Sequence, residues 1–483
     1  MSQDKAAEAR DPAGAAQQAL PEPILQWIAA TTAGTVVEAC LVASGGRLGY
    51  RVDIDRAGEP LALFLQRGRD ADEGSFLPLA REAEVFRALA PLGVAVPKVW
   101  GVSPEDNVVL VDRLEGVVWF HEPSDPAQRT AIAQDFIRQI ARWHSTPASN
   151  LALPSFQPVR SAAAHQREQL SGIRRLFEAA DAEAPIDEIA RVSLSYLERN
   201  IPDYAGPAVL CQGDTGPGNF IYRDDRVLGV IDWELAHLGD PMDDIAWLSW
   251  RATQHGFPEF PQRMREYEAL SGITVDAARV NYYRVNACAR LGPTFGLADM
   301  GRVASLRGSQ GRDAEPAADN DRTADGSQMV MSMLHRRMRL QALGLALGIP
   351  LPSRDVTQVA QPRDHARVYD NVLRQLQVMV PLIADRNAAT LAKGVARQIK
   401  FLKAMDRDGH LFEQQELAEI AGHLGRTPDD LGQGRADLAE AARAARVSFE
   451  AYFNYHWNRM ARDDHLMREA SGRLYERAWP ELA

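Results

Sequence analysis

The segment from residue 210 to residue 248 places polar side chains at the ends of short apolar stretches. Asp214 follows an apolar stretch and a glycine, Asn219 lies beyond a turn rich in glycine and proline, and Asp232 ends an apolar strand. Such oxygen ligands suit a hard cation like Mg²⁺, which completes its octahedron with phosphates and water. Phosphoryl transfer needs little more than that metal and a carboxylate that orients the attacking hydroxyl. The segment therefore predicts a metal-assisted phosphoryl-transfer site at strand ends.

The same segment resembles the aminoglycoside phosphotransferase-like superfamily, whose members are relatives of protein kinases. The family pattern is His-Gly-Asp, four residues, Asn, then an Asp on the next strand, then Gly-Asp-Pro with a further Asp. This chain reads Gln-Gly-Asp-Thr-Gly-Pro-Gly-Asn, then Ile-Asp-Trp-Glu, then Gly-Asp-Pro-Met-Asp-Asp. The resemblance implies that Asp214 is the catalytic base and that Asn219 and Asp232 are magnesium ligands.

Three further residues of the segment bear on this interpretation. Gln212 stands where the family has a His that braces the loop, and Gln can also form hydrogen bonds. The resemblance implies that Asp240 and Asp244 brace the loop as well, by accepting hydrogen bonds. The alternative is that these Asp and Asn residues only cap turns, which does not explain their ordered placement at loop and strand ends.

The residues before this segment predict a small β-rich lobe. Three strands, a helix and a further strand follow one another, an order that resembles the small lobe of a kinase. The predicted elements are strands over 35–42, 50–54 and 61–66, a helix over 80–89 and a strand over 108–113. The later residues are mostly helical in pattern. We therefore expect an α+β, two-lobed protein-kinase-like fold with an additional C-terminal all-α domain.

Shifts in composition and periodicity predict the domain boundaries. Residues 1–20 are small and polar and are expected to be disordered. Residues 21–116 are expected to form the N-lobe and hinge, and residues 117–350 the helical C-lobe that carries the site segment. A proline-containing linker over 351–365 then leads to a helical accessory domain over 366–483.

Seven residues are candidates for the site of the nucleotide, ATP or GTP, which binds together with Mg²⁺: Ser44, Gly45, Gly46, Arg67, Glu82, Asp112 and Leu114. Ser44, Gly45 and Gly46 lie between two predicted strands, where glycines let backbone amides approach phosphates. A plain hairpin turn is the alternative, although in the family this stretch covers the nucleotide phosphates. Asp112 and Leu114 lie in a stretch that resembles the strand and hinge where family members present backbone groups to adenine.

A kinase-like site also requires a strand cation paired with a helix carboxylate. Glu82 shares a face of its predicted helix with apolar residues, where a carboxylate requires a buried cation. Arg67, at the end of the third strand, is the nearest candidate for that cation and for nucleotide binding. The alternative is that Gln66 stands at the position where the family has Lys or Arg. In that case Arg67 is a solvated residue at the end of the strand.

The charge balance and the cysteines constrain the partners and the compartment. The chain of 483 residues has 54 basic and 65 acidic residues and a formal charge of −11, which argues against a general nucleic-acid binder. Its 3 cysteines form no CxxC or zinc pattern. We read no signal peptide and no apolar run near the ~20 residues of a membrane helix. A cytoplasmic protein with no membrane partner is expected.

The residues that follow Asp232 narrow the resemblance. They are similar to the kinase domains of acyl-CoA dehydrogenase fusions, a subgroup associated with phosphorylating hydroxyacyl-CoA esters. A CoA thioester carries phosphates far from the reacting hydroxyl, so its binding site requires a cluster of cations. The alternative is that the arginines proposed for this cluster are only solvated surface residues. The candidate cations are Arg302, Arg307 and Arg312 in a predicted mobile loop, and His335, Arg336, Arg337 and Arg339 on the next helix.

Two rival functions remain open at this point. A nucleotide-binding pseudokinase that recruits a partner is favoured by Gln66 and Gln212 and opposed by Asp214, Asn219 and Asp232. An aminoglycoside kinase requires an acidic cleft for a polycation, and the family's usual C-terminal carboxylate is not evident. The amphipathic C-terminal helices must cover their apolar faces on the kinase part or on a second copy, so we expect a homodimer.

Overall fold

The computed structural model describes residues 19–44, 47–68, 78–120, 123–183, 188–291, 326–356 and 365–483. The chain divides into two compact units. The first contains Met1–His165, Asp203–Asp276 and Pro480–Ala483, and the second contains Gln166–Pro202 and Ala277–Trp479. No helix within the described ranges is long and apolar enough to cross a membrane.

Nine strands are named in the described part of the chain, all of them in the first unit. They are β1 Thr35–Ser44, β2 Leu48–Arg56, β3 Glu59–Arg67, β4 Val99–Ser103, β5 Val108–Asp112, β6 Val209–Cys211, β7 Phe220–Arg223, β8 Arg226–Val230 and β9 His237–Gly239. The first five form one antiparallel sheet in the order β1-β2-β3-β5-β4, while β6 pairs with β9 and β7 with β8.

The helices of the described residues connect and follow these strands. They are α1 Glu22–Thr32, α2 Leu79–Leu89, α3 Pro126–His144, α4 Ala162–Glu183, α5 Glu188–Arg199, α6 Met242–His255, α7 Phe260–Ser271, α8 Ala277–Arg290, α9 Gly326–Leu347, α10 Ala366–Met379, α11 Arg386–Ala404, α12 His410–Leu424, α13 Leu431–Arg443, α14 Phe449–Leu466 and α15 Arg468–Ser471.

The five-stranded sheet is held by apolar side chains that alternate along its strands. On β3, Leu63 and Leu65 are fully buried and point to one face, because successive side chains in a strand point to opposite faces. They join a core cluster with Ile24 and Ile28 of α1. The same alternation places Arg67 on this α1 face of the sheet.

Aromatic packing fixes the segment that carries the candidate site. Phe220, at the start of β7, stacks on Phe136 of α3 with ring centroids 4.3 Å apart. Trp233, just after Asp232, is fully buried and makes an edge contact with Trp143 of α3 at 5.3 Å. These contacts anchor the short β7–β8 hairpin and the residues that follow it.

The described residues of the second unit form helices and connecting segments, with no strand among them. Its helices α12, α13 and α14 surround Glu416, which is bonded to Arg435 and Tyr455. Helix α10 has no buried residue, and it exposes Val368 and Val378. The homodimer expected from such apolar faces stays a prediction.

The antiparallel sheet followed by helices is the order of elements that the sequence predicts. Strands β4, β6 and β9, of 5, 3 and 3 residues, were not predicted. The domain boundaries expected from composition stay predictions, and residues 1–18 and 357–364 lie outside the described residues.

Candidate active site

Asp214 and Asn219 lie side by side at opposite ends of a tight loop. The amide nitrogen of Asn219 donates to the Asp214 carbonyl at 2.7 Å and to its carboxylate Oδ2 at 2.9 Å. Because both bonds use the amide nitrogen, the amide oxygen of Asn219 is the atom that could bind a cation. The loop therefore presents a carboxylate and an amide oxygen together, as the sequence predicts.

Asp232 lies after β8 in a backbone conformation that few residues adopt. Its φ of 63° is in the left-handed region, which is uncommon for residues other than glycine and occurs often at functional sites. Its neighbours hold it there. The N–H of Ile231 donates to Asn219 O at 3.0 Å, and the N–H of Trp233 donates to Glu82 Oε1 at 3.0 Å.

Four carboxylates and two guanidinium groups share this region. Burial raises the pKa of Asp232 to about 6, with help from the negative charges of Glu82 and Asp214. Burial is the larger cause, and the negative charge of Asp232 the next, that together raise the pKa of Glu234 to about 8. The guanidinium groups are those of Arg47 and Arg251.

This donor set fits a divalent cation. The carboxylates outnumber the guanidinium groups, and the ionised forms of Asp232 and Glu234 are disfavoured without a further positive charge. Carboxylate and amide oxygens are the ligands that Mg²⁺ prefers, in small number. Asp232 and Asn219 are therefore suited to hold the metal, and Glu234 is a third oxygen donor close by.

The buried cation that Glu82 requires is Arg47, and the expectation that it is Arg67 needs correction. Glu82 is fully buried on α2 and forms an ion pair with Arg47, whose side chain is 10% exposed. Arg47 also lies 3.8 Å from Glu234. Arg67 is not the partner, because strand alternation directs it to the sheet face covered by α1.

The loop before Asp214 is braced from helix α6. Asp244 accepts the backbone N–H groups of Gln212 and Gly213, both at 2.9 Å, and it contacts His144 Nε2 at 3.1 Å. Burial alone would raise the pKa of Asp244, but these hydrogen bonds hold it below its usual range. The side chain of Gln212 donates to Ile231 O at 2.7 Å, so it ties the loop to the residue before Asp232.

Some hydrogen-bonding groups of the predicted hinge, Asp112 and Leu114, are already used within the sheet. Asp112 donates its N–H to Lys98 O at 2.9 Å, and its carboxylate accepts from Trp100 Nε1 at 2.7 Å. The Asp112 N–H is thus unavailable to the nucleobase of ATP or GTP. The Leu114 N–H, in contrast, bonds to no backbone carbonyl of the described residues. Ser44 ends β1, and Gly45 and Gly46 lie outside the described residues.

The cation cluster predicted for CoA phosphates is wrong for the helix residues. Arg337 is buried within the second unit and pairs with Asp464 at 2.7 Å, and Arg336 pairs with Asp463. Arg336 and Arg337 are therefore each paired with a carboxylate of the same unit. His335 and Arg339 are also buried, while Arg302, Arg307 and Arg312 lie outside the described residues.

Sequence reasoning missed three charged residues of the site, Arg47, Glu234 and Arg251. Arg47 directly follows the Ser-Gly-Gly stretch, and Glu234 lies two residues after Asp232. Arg47 and Glu234 thus lie close in sequence to predicted site residues, and this proximity could have identified both. Arg251 had no such signal, because it lies on helix α6, 37 positions from the Asp214 that it contacts.

The comparison with known families agrees with this geometry. The profile of the phosphotransferase enzyme family, APH, matches residues 40–279. Residues 40–279 belong to this family. The matched range contains part of β1, all of β2 to β9 and the site segment, so the candidate active site lies within the family domain.

Curated relatives and one solved structure add to this result. Acyl-CoA dehydrogenase family member 11 of Rattus norvegicus is 29% identical over 206 residues, which cover 38% of this chain and 26% of the relative. Family member 10 of Mus musculus is 28% identical over 194 residues, covering 37% and 18%. The matches thus span about a quarter of these relatives or less.

The solved structure is a protein from Ralstonia eutropha provisionally named an aminoglycoside phosphotransferase. It is 20% identical to this chain, with a TM-score of 0.51, and the match covers 68% of this chain and 98% of that one. At this identity the likeness concerns the fold alone. It confirms the kinase-like α+β fold that the sequence predicts.

Proposed function

We propose that this chain is a Mg²⁺- and ATP-dependent phosphotransferase that phosphorylates a hydroxyl of a small molecule. The observation that carries the proposal is the joint placement of Asp214, Asn219 and the left-handed Asp232. Phosphoryl transfer depends on positioning and charge stabilisation more than on covalent chemistry. These residues supply one oriented carboxylate and two metal-ligand oxygens within the family domain.

Asp214 is the group that meets the acceptor. Its carboxylate accepts the proton of the acceptor hydroxyl as the oxygen bonds to the γ-phosphorus, and the bond to the bridging oxygen of the leaving diphosphate breaks. Asn219 and Asp232 would hold the Mg²⁺, which would screen the charge of the phosphates. Arg47, held by Glu82, lies where a cation could meet the phosphates of the nucleotide.

A hydroxyacyl thioester of CoA is the acceptor class that we assign to this site. Its support is the similarity to proteins named acyl-CoA dehydrogenase family members 10 and 11. Of the helix cations expected to anchor CoA, Arg337 is buried in an ion pair with Asp464 and Arg336 pairs with Asp463, so we expect the phosphate anchor elsewhere. The acceptor is therefore best identified by direct assay.

The test is a panel assay on the full chain with Mg·ATP or Mg·GTP. Hydroxyacyl-CoA esters, the matching free hydroxy acids and an aminoglycoside serve as acceptors, and phosphorylated product is detected by ³¹P NMR. Turnover of the thioesters, abolished by EDTA and lowered about 10²-fold or more by Asp214→Asn, is expected. Nucleotide binding without turnover on any acceptor would indicate a pseudokinase, and preference for the aminoglycoside would indicate a resistance-type kinase.

A further inference from the structure

The Asp214 carboxylate is gripped by Arg251, a residue that the family pattern does not include. Arg251 Nε donates to Oδ1 at 2.8 Å, and Arg251 Nη2 donates to Oδ2. This is the two-point geometry in which a planar guanidinium binds a carboxylate most specifically. Both side chains are largely buried, at 21% and 17% exposure, so the contact differs from a solvated surface ion pair.

The loop between Asp214 and Asn219 is shaped around the stem of Arg251. At Gly216, with φ 143°, a Cβ would lie 2.5 Å from Arg251 Cβ, and at Gly218, with φ 103°, it would lie 3.6 Å from Arg251 Nη1. Residues other than glycine rarely adopt these φ values. The glycines therefore let the backbone lie directly on Arg251, which is independent evidence that the contact is built into the loop.

The two carboxylate oxygens of Asp214 are not equivalent. Among the described residues, Oδ2 receives two donors, Arg251 Nη2 and the Asn219 amide, whereas Oδ1 receives only the Arg251 Nε. A carboxylate oxygen has about two acceptor positions in its plane. The acceptor position that the donors of the described ranges leave open is therefore on Oδ1.

We propose that Arg251 is a positioning residue that orients Asp214 so that its Oδ1 receives the acceptor hydroxyl. The inference rests on the proposed role of Asp214 as base. Arg251 keeps the carboxylate in one rotamer while Asn219 occupies Oδ2, so the hydroxyl approaches from one direction. The hydroxyl proton moves to Oδ1 as the oxygen–phosphorus bond forms, and Arg251 remains protonated throughout.

The experiment is a double-variant cycle in the full chain. Arg251→Met, Arg251→Lys, Asp214→Asn and the combination of Asp214→Asn with Arg251→Met are assayed for kcat and KM of the acceptor, and for nucleotide binding. Arg226, an exposed residue of β8, supplies the matched control Arg226→Met. Urea unfolding of the wild type, Arg251→Met, Asp214→Asn and the double variant gives the coupling between the two side chains without any turnover.

Arg251→Met should lower kcat about 10- to 100-fold, the cost of a misplaced reacting group, with acceptor KM and nucleotide affinity changed less than about twofold. Arg251→Lys should recover part of the loss, because Lys keeps the charge without the fork. In the Asp214→Asn background, Arg251→Met should have no further effect, since Arg251 acts through Asp214.

Three results would overturn the inference. These are wild-type kcat in Arg251→Met, kcat losses that multiply in the double variant, or no coupling between the pair in urea unfolding. Multiplying losses would mean that Arg251 contacts the acceptor or the phosphoryl group itself. Wild-type turnover in Asp214→Asn would instead overturn the proposed function, and the role of Arg251 with it.

Discussion

The guanidinium of Arg47 and the carboxylate of Glu82 form an ion pair between the β1–β2 turn and helix α2, and Glu82 is fully buried in it. The second oxygen of Glu82 accepts the N–H of Trp233, next to Asp232. One buried carboxylate thus connects the turn that follows Ser44 with the backbone of the predicted metal ligand. A substitution of Arg47 should therefore alter binding at the proposed metal and nucleotide site.

Arg47→Met should weaken Mg·ATP binding by about 10-fold, roughly 1.4 kcal/mol, and should destabilise the protein by about 3 kcal/mol, because it leaves the buried Glu82 carboxylate without its cation. Calorimetric titration and urea unfolding measure the two effects. Arg67→Met tests the sequence expectation and should bind nucleotide normally, as should Arg87→Met on the exposed face of α2. A larger loss from Arg67→Met than from Arg47→Met would contradict the assignment.

Strand alternation explains why Arg67 was a poor choice. It follows Leu63 and Leu65 at a spacing of two, and both leucines are core residues under α1. The alternation was readable from the sequence, but its meaning depended on knowing which face α1 covers. Arg47 is 35 positions from Glu82, and no local pattern reports a contact over that distance.

The segment around Asp214 was predictable for the opposite reason. Asp214, Asn219 and Asp232 are connected by one loop and one hairpin, so local turn chemistry and strand ends bring them together. Arg251 comes from a helix that packs under the loop, and its place depends on the tertiary fold. The second unit was predictable as helical, but not as the place where Asp464 neutralises Arg337.

Asp232→Asn should abolish Mg²⁺-dependent nucleotide binding more severely than Asn219→Ala, because it removes a full negative charge from the metal site. Asn tolerates the left-handed conformation of Asp232, so the backbone should be preserved. Titration of nucleotide with and without Mg²⁺ measures the effect. Asp224→Asn is a matched control, since Asp224 is exposed and has a φ of 54°. Equal binding in the presence of EDTA would refute the metal assignment.

Asp244→Asn should lower both stability and kcat. The carboxylate accepts two backbone N–H groups from the loop before Asp214, and an amide can accept only through its single oxygen. Leaving a buried N–H unpaired costs about 1–3 kcal/mol. Thermal unfolding and kcat under saturating substrates measure the two losses. Asp225→Asn, an exposed change nearby, should alter neither. A variant with lowered kcat but unchanged stability would show that Asp244 does more than brace the loop.

Glu416 provides a test of the second unit through pH. Burial alone would raise the pKa of this carboxyl, but Arg435 and Arg459 lower it from 4.5 to about 2. Because the folded pKa is below the unfolded one, the stabilisation is present above pH 4.5 and is lost as pH falls towards 2. Its upper limit is about 3 kcal/mol, at 1.36 kcal/mol per pKa unit.

The free energy of unfolding of the wild type should therefore exceed that of Glu416→Gln at pH 7, and the difference should shrink steadily between pH 4.5 and pH 3. Urea unfolding at several pH values measures it, and subtraction removes the titration of all groups that the two proteins share. Glu413→Gln, an exposed change on the same helix, should show no such trend. A constant difference across this range would mean that Glu416 contributes by packing and neutral hydrogen bonds rather than by its charge.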